Sequence, residues 1–130
     1  MEGRCTLIRG LLGPKSGKSD LWIHPKNYLA SSMSAFPGAR RREVPFVDLQ
    51  QFVGDQPIDV LKVDIEGGEY PFVEANPDIF LASQVVVMEI HGNDERRVDD
   101  MFRAIEASGL RQQGIKVNRF GIRLQAWKRP

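Results

Sequence analysis

A single cysteine, Cys5, stands in the whole sequence, which rules out an intrachain disulfide and a metal centre built on paired thiolates. It reads as a buried or idle thiol in a reducing, cytoplasmic setting. No apolar run approaches the roughly 18 to 20 residues that a membrane-spanning helix needs, and residues 1–10 lack the apolar core of a secretory signal. A charge excess is missing too: 18 Lys and Arg face 17 Asp and Glu, for a formal net charge of +1. Neither nucleic acid nor a membrane surface is therefore an electrostatic partner. The one basic run, Arg40, Arg41 and Arg42, has no interleaved aromatics and no helix after it, so it reads as a solvated loop.

What remains is the composition of a soluble globular domain, with 42% apolar and 27% charged residues, and 130 residues suffice for one core. A single domain over residues 1–130 is expected. The stretch "GPKSGKSDLW" imitates a phosphate-binding loop around Gly17, Lys18 and Ser19. That loop spaces its two glycines by four residues and opens a helix. Here Leu12 stands where the first glycine belongs, and the apolar residues after Lys18 read as a strand. A hairpin turn between "CTLIRGLL" and "DLWIH" accounts for the glycines, Pro14 and Lys18. Residues 26–42 are polar and rich in Ser, Pro and Gly, as a long loop would be.

Beyond the loop, "EVPFVDLQQFVG" predicts a short strand with Pro45 at an edge, then one or two helical turns capped by Asp48 and ended by Gly54. "IDVLKVDI" carries apolar groups on both faces, the signature of a parallel strand covered on each side. "EYPFVEANPDIF" suits a short helix that tolerates Pro71 in its first turn, and the strand signature returns over residues 84–91. Val98, Met101, Phe102 and Ile105 fall at helical spacing, with Asp94 as cap and Gly109 as stop. "LRQQGIKV" and "FGIRLQAWK" then alternate around Asn118 and Arg119 as an antiparallel hairpin. The order of elements predicts an α/β fold with a mainly parallel sheet. Right-handed crossovers would place the two strand ends side by side.

Those ends gather Asp64, Glu66 and Glu69 from one segment and Glu89 and His91 from its neighbour. By the two-residue period of a strand, Asp64 and Glu66 share a side, as do Glu89 and His91. Whether the pairs face each other is not fixed by sequence. Ligands of open α/β sheets bind outside the carboxyl ends of the strands, so a site belongs here; ordinary polar strand ends would look the same. Asp, Glu and His together also suit a Mg, Mn or Zn-type ion.

"PIDVLKVDIEGGEYPFVEA" followed by "VVVMEIH" resembles the FkbM family of S-adenosylmethionine-dependent methyltransferases. The matching residues are Leu61, Lys62, Asp64, Glu66, Gly67, Glu69, Glu89 and His91. The lead-in "VPFVDLQQFVG" and the opening hairpin have family counterparts as well, so the resemblance covers essentially the whole chain. It implies a partial Rossmann-like class I methyltransferase fold, N-terminally incomplete, in which the strands carrying the Gly-rich cofactor loop and the ribose-binding acid are absent. On that footing the isolated chain should bind S-adenosylmethionine weakly or not at all. It further implies O-methylation of a small-molecule or sugar hydroxyl, with His91 as general base. Asp64 would lie near the methionine end of the cofactor or near the acceptor hydroxyl, and Glu66 and Glu89 would orient His91. Lys62 would project a surface charge or pair with an acid, and Glu69 would favour a helix N-terminus through the dipole. Two other classes compete: a carboxylate and histidine metal-binding domain, and a non-catalytic module that self-associates through an exposed sheet edge.

Overall fold

A computed structural model describes residues 3–27, 30–92, 94–117 and 121–130. An antiparallel ribbon comes first, formed by β1 (Lys18–Ile23) and β2 (Arg40–Pro45), with Lys18 opposite Pro45 and Ile23 opposite Arg40. After α1 (Gln50–Val53), the chain runs through β3 (Ile58–Val63), α2 (Glu69–Ala75), α3 (Pro77–Ala82), β4 (Ser83–Ile90), α4 (Glu95–Ala107), β5 (Arg111–Val117) and β6 (Arg123–Lys128). The last four strands make one sheet in the order β3-β4-β6-β5.

Residue pattern explains the layering. Along β4, Ser83, Val86, Met88 and Ile90 are buried while their neighbours are not, so one face of the sheet points into the core and the other is only partly covered. The helices supply the opposite wall. Val98, Met101, Phe102 and Ile105 of α4 are all buried, together with Phe72 and Val73 of α2 and Ile79 and Phe80 of α3. Trp127 of β6 is fully buried and meets Phe102 edge to face, with centroids 5.0 Å apart. That geometry places the positive edge of one ring against the negative face of the other.

Asn76 separates α2 from α3 because Pro77 follows it, and a residue before proline is driven out of the helical region. Its side chain is buried and donates to the Phe72 and Gly13 carbonyls, which ties the N-terminal segment to the helices. Leu11 exchanges backbone hydrogen bonds with Pro45 and Val47. The C-terminal segment has its own anchor in Arg129. Its guanidinium donates to the carbonyls of Leu81, Ser83 and Ser108, so one side chain satisfies the orphan carbonyls at the ends of α3 and α4. Gly109, at φ +92°, suits a backbone conformation that side chains disfavour, and an added Cβ would also push on Arg129 Nη1, 2.7 Å away.

Several expectations change. The fold is α/β with a mixed sheet, not a mainly parallel one: only β3 and β4 pair parallel, while β4 with β6 and β6 with β5 pair antiparallel. The reason is that α4 returns β5 in the same direction as β4 but not next to it, and β6 of the C-terminal hairpin fills the place between them, antiparallel to both. The Asn118–Arg119 turn of that hairpin lies outside the described residues. β3 is not covered on both faces, since its Val60 is 63% exposed, and it stands at an open edge of the sheet. The opening hairpin is also different: β1 pairs with β2, across the 26–42 loop, instead of with residues 5–12. The three arginines therefore lie in a strand, where Arg41 pairs with Asp20 at 2.8 Å. The single helix expected over residues 69–80 is two helices. Cys5 is free and exposed, not buried. Lys18 begins a strand and binds Glu43 at 2.9 Å, in keeping with a turn in place of a phosphate loop. Among the described residues, no helix is long and apolar enough to cross a membrane.

Candidate active site

Parallel pairing of Val63 with Met88 brings the ends of β3 and β4 out of the sheet together. The chain beyond Val63 cannot continue as strand, because Glu66 adopts φ +50° and Gly67 φ +95°. Among the described residues, Glu66 is the one non-glycine with positive φ. A left-handed conformation costs such a residue about 1–2 kcal/mol, so the surrounding contacts must hold it. The Gly68 amide donates to the Ile65 carbonyl at 3.2 Å, and the Gly67 amide donates to Glu69 Oε1 at 3.1 Å. The two-residue alternation that would put Asp64 and Glu66 on one side ends with the strand, before either residue.

Glu69 opens α2 and is fully buried. Its Oε1 also meets His91 Nδ1 at 2.9 Å, a carboxylate and imidazole pair inside the protein. A carboxylate accepts only, so Nδ1 carries the proton and the neutral ring keeps its lone pair on Nε2. Nε2 lies 3.4 Å from Glu66 Oε2, and the His91 side chain is 16% exposed. The ring is thus clamped at one nitrogen and reachable at the other.

The remaining acids sit one step outward. Lys62 Nζ stands 3.1 Å from Asp64 Oδ2 and 3.9 Å from Glu89 Oε1. Asp64, Glu89 and His91 also present ligand-type atoms within 4.8 Å of one another. The Lys62 ammonium already faces both carboxylates, so a metal ion at that point has to compete with a cation the chain provides. Behind the site, Tyr70 packs under the Arg97 guanidinium, 4.5 Å from ring centroid to Cζ. Among the described residues its buried hydroxyl has no hydrogen-bond partner. Burial, and then the neighbouring Glu69 carboxylate, push the phenol above the ordinary tyrosine range.

A family model described as "Methyltransferase FkbM domain" matches residues 3–114. The chain belongs to the FkbM methyltransferase family. No curated protein and no solved structure matched it. The FkbM match takes in every residue of the cluster, both strands that deliver it and the N-terminal ribbon. Of the residues named from sequence, Asp64, Glu66, Glu89 and His91 do converge on one sheet edge. Within that arrangement Glu89 lies 3.9 Å from Lys62 and Glu66 approaches His91 at Nε2, while Nδ1 is held by Glu69. Glu69 is the residue that sequence reasoning undervalued. As the first residue of a helix it looked like a dipole partner, and its spacing from a histidine 22 positions away carries no local signal.

Proposed function

We propose that this FkbM-family chain methylates a hydroxyl of a small molecule or sugar at His91, with S-adenosylmethionine as donor. The buried Glu69–His91 pair supports the reading, because it leaves Nε2 as an oriented base at a strand end where ligands of α/β sheets bind. The donor is doubly suited to the acidic rim: its sulfonium and amino groups are cationic, and Asp64, Glu66 and Glu89 supply negative charge. When bound, it supplies an electrophilic methyl that leaves sulfur as a neutral thioether. His91 takes the acceptor's O–H proton at Nε2 while the oxygen lone pair forms the new C–O bond. Glu69 holds the ring, and Glu66 stabilises the imidazolium. Asp64 is the residue placed to meet the amino group, in exchange for Lys62.

Transfer of labelled methyl to a panel of hydroxyl acceptors, run on the 130-residue chain at millimolar cofactor, tests this directly. His91→Ala should lower turnover about 10²–10⁴-fold, the usual worth of a general base. Equal turnover would remove His91 from the chemistry, and no methylated product from any acceptor would remove transfer from this chain. The open edge at β3, with Val60 exposed, favours a second reading as an interaction module.

A further inference from the structure

The acceptor is left open by the site itself, but a cavity of about 340 Å³ lies beside it, within the range of small-molecule pockets. Its walls come from the N-terminal layer and from the turn after β3. Leu11, Leu21, Met33 and Ile65 make the apolar part. The side chains that break this apolarity are Ser31, Ser32 and Glu66. Ser31 Oγ accepts from the His24 amide and Ser32 Oγ from the Ser34 amide, so each serine keeps its O–H as a donor. The Ser32 backbone is fully engaged with Trp22. Few unpaired polar groups are left in the wall.

Glu66 is the one charged residue among the described lining, and it is the same residue that reaches His91 Nε2. Its left-handed backbone holds it at the junction between cavity and imidazole. A carboxylate or phosphate entering here would meet Glu66 and no cation. An apolar body would displace water from leucine, isoleucine and methionine surface, and a hydroxyl at its end would meet Glu66 and Nε2. We propose that this cavity binds the apolar body of a neutral alcohol and presents its hydroxyl to His91. The proposal rests on the methyl-transfer reading for the role of the bound alcohol, though not for its binding.

Calorimetric titration of the full chain, without cofactor, with hexanol, heptanol and octanol tests the binding. Octanoate and methyl glucoside serve as charged and hydrophilic controls. Each added methylene should tighten binding about fourfold, which is ~0.8 kcal/mol converted at 1.36 kcal/mol per factor of ten. Met33→Trp and Ile8→Trp fill the cavity from two positions outside the regular elements. Each should weaken octanol about tenfold or more, the worth of roughly two methylene contacts, with thermal unfolding confirming that at least one variant folds. Octanoate binding as tightly as octanol, no dependence on chain length, or octanol binding unmoved in both folded variants overturns the proposal. His91-dependent methylation of methyl glucoside with no octanol binding would sink the cavity assignment and leave methyl transfer standing. Octanol binding with no transfer to any acceptor would do the reverse, keeping the alcohol site and removing its role as acceptor site.

Discussion

Replacing His91 by alanine tests the buried pair through stability, independently of any activity. In the native protein Glu69 is fully buried, with one carboxylate oxygen shared by the Gly67 amide and His91 Nδ1 and the other without a partner among the described residues. Without the imidazole, one amide donor is all that remains for a charge held out of water. Removing one partner of such a pair costs about 3–5 kcal/mol. That is a large share of the roughly 5–15 kcal/mol by which domains of this kind are stable. The partner on the other nitrogen is different: Glu66 is 52% exposed on its side chain and 3.4 Å away, so Glu66→Ala should cost no more than about 1 kcal/mol. The double variant His91→Ala, Glu69→Ala removes the stranded charge along with its partner. It should be less destabilised than the two single variants summed, by about 1–3 kcal/mol. Urea unfolding followed by the fluorescence of buried Trp127 measures the native protein and the four variants, with unchanged urea dependence as the check that the transition is the same one. A His91→Ala protein within about 1 kcal/mol of the native one, or an additive cycle, would refute the account of Glu69 as a buried charge held by His91.

Tyr70→Phe should leave neutral-pH stability within about 1 kcal/mol or raise it, since the hydroxyl it removes is buried and has no partner among the described residues. Because the folded phenol is held above its unfolded value, its contribution is fully present below about pH 10 and is lost as pH rises through the folded pKa. The alkaline decline should be shallower in Tyr70→Phe, and identical profiles would contradict the burial argument. The open edge of β3 predicts concentration-dependent self-association in sedimentation, with amides of residues 58–63 protected in step and Val60→Lys shifting the chain toward monomer. A monodisperse monomer with fast exchange along β3 would rule out a partner strand at that edge. Lys18→Ala should be nearly silent, since its Glu43 partner is exposed; micromolar Mg-ATP binding abolished by that change would restore the phosphate-loop reading.

Local patterns were legible wherever burial repeats along one element. The spacing of Val98, Met101, Phe102 and Ile105 marks α4 and its inward face, and the Asp94 carboxylate does accept from the Arg97 amide as a cap. The apolar runs around Leu61 and Val86 mark β3 and β4, and their adjacency follows from crossover handedness. Pairing across long loops was not legible. The "DLWI" strand has no local feature that selects the arginine-rich β2 over nearer residues 5–12, and the register that joins them is set by tertiary contacts. The share of antiparallel pairing was hidden for a similar reason: a C-terminal hairpin is visible in the sequence, but which of its strands enters the sheet beside β4 is not. In the site, residue types pointed to the right edge, whereas the hydrogen bond from His91 to Glu69 depends on where α2 starts relative to the end of β4.

The strand order also sets a timetable for the chain as it is made. β5 leaves the ribosome before β6, yet β6 is the neighbour it needs, and β4 waits for the same strand on its far side. Helices α2, α3 and α4 can gather on β3 and β4 early. Until residues 123–128 arrive, the growing layer lacks Trp127, its largest fully buried side chain, and carries an unpaired strand beside an apolar wall. Arg129 follows at once and closes the ends of α3 and α4. Assembly of this half is therefore completed only once residues 123–129 have emerged, and nascent chains stopped before Arg123 would present chaperones and proteases with the surface that the finished sheet conceals.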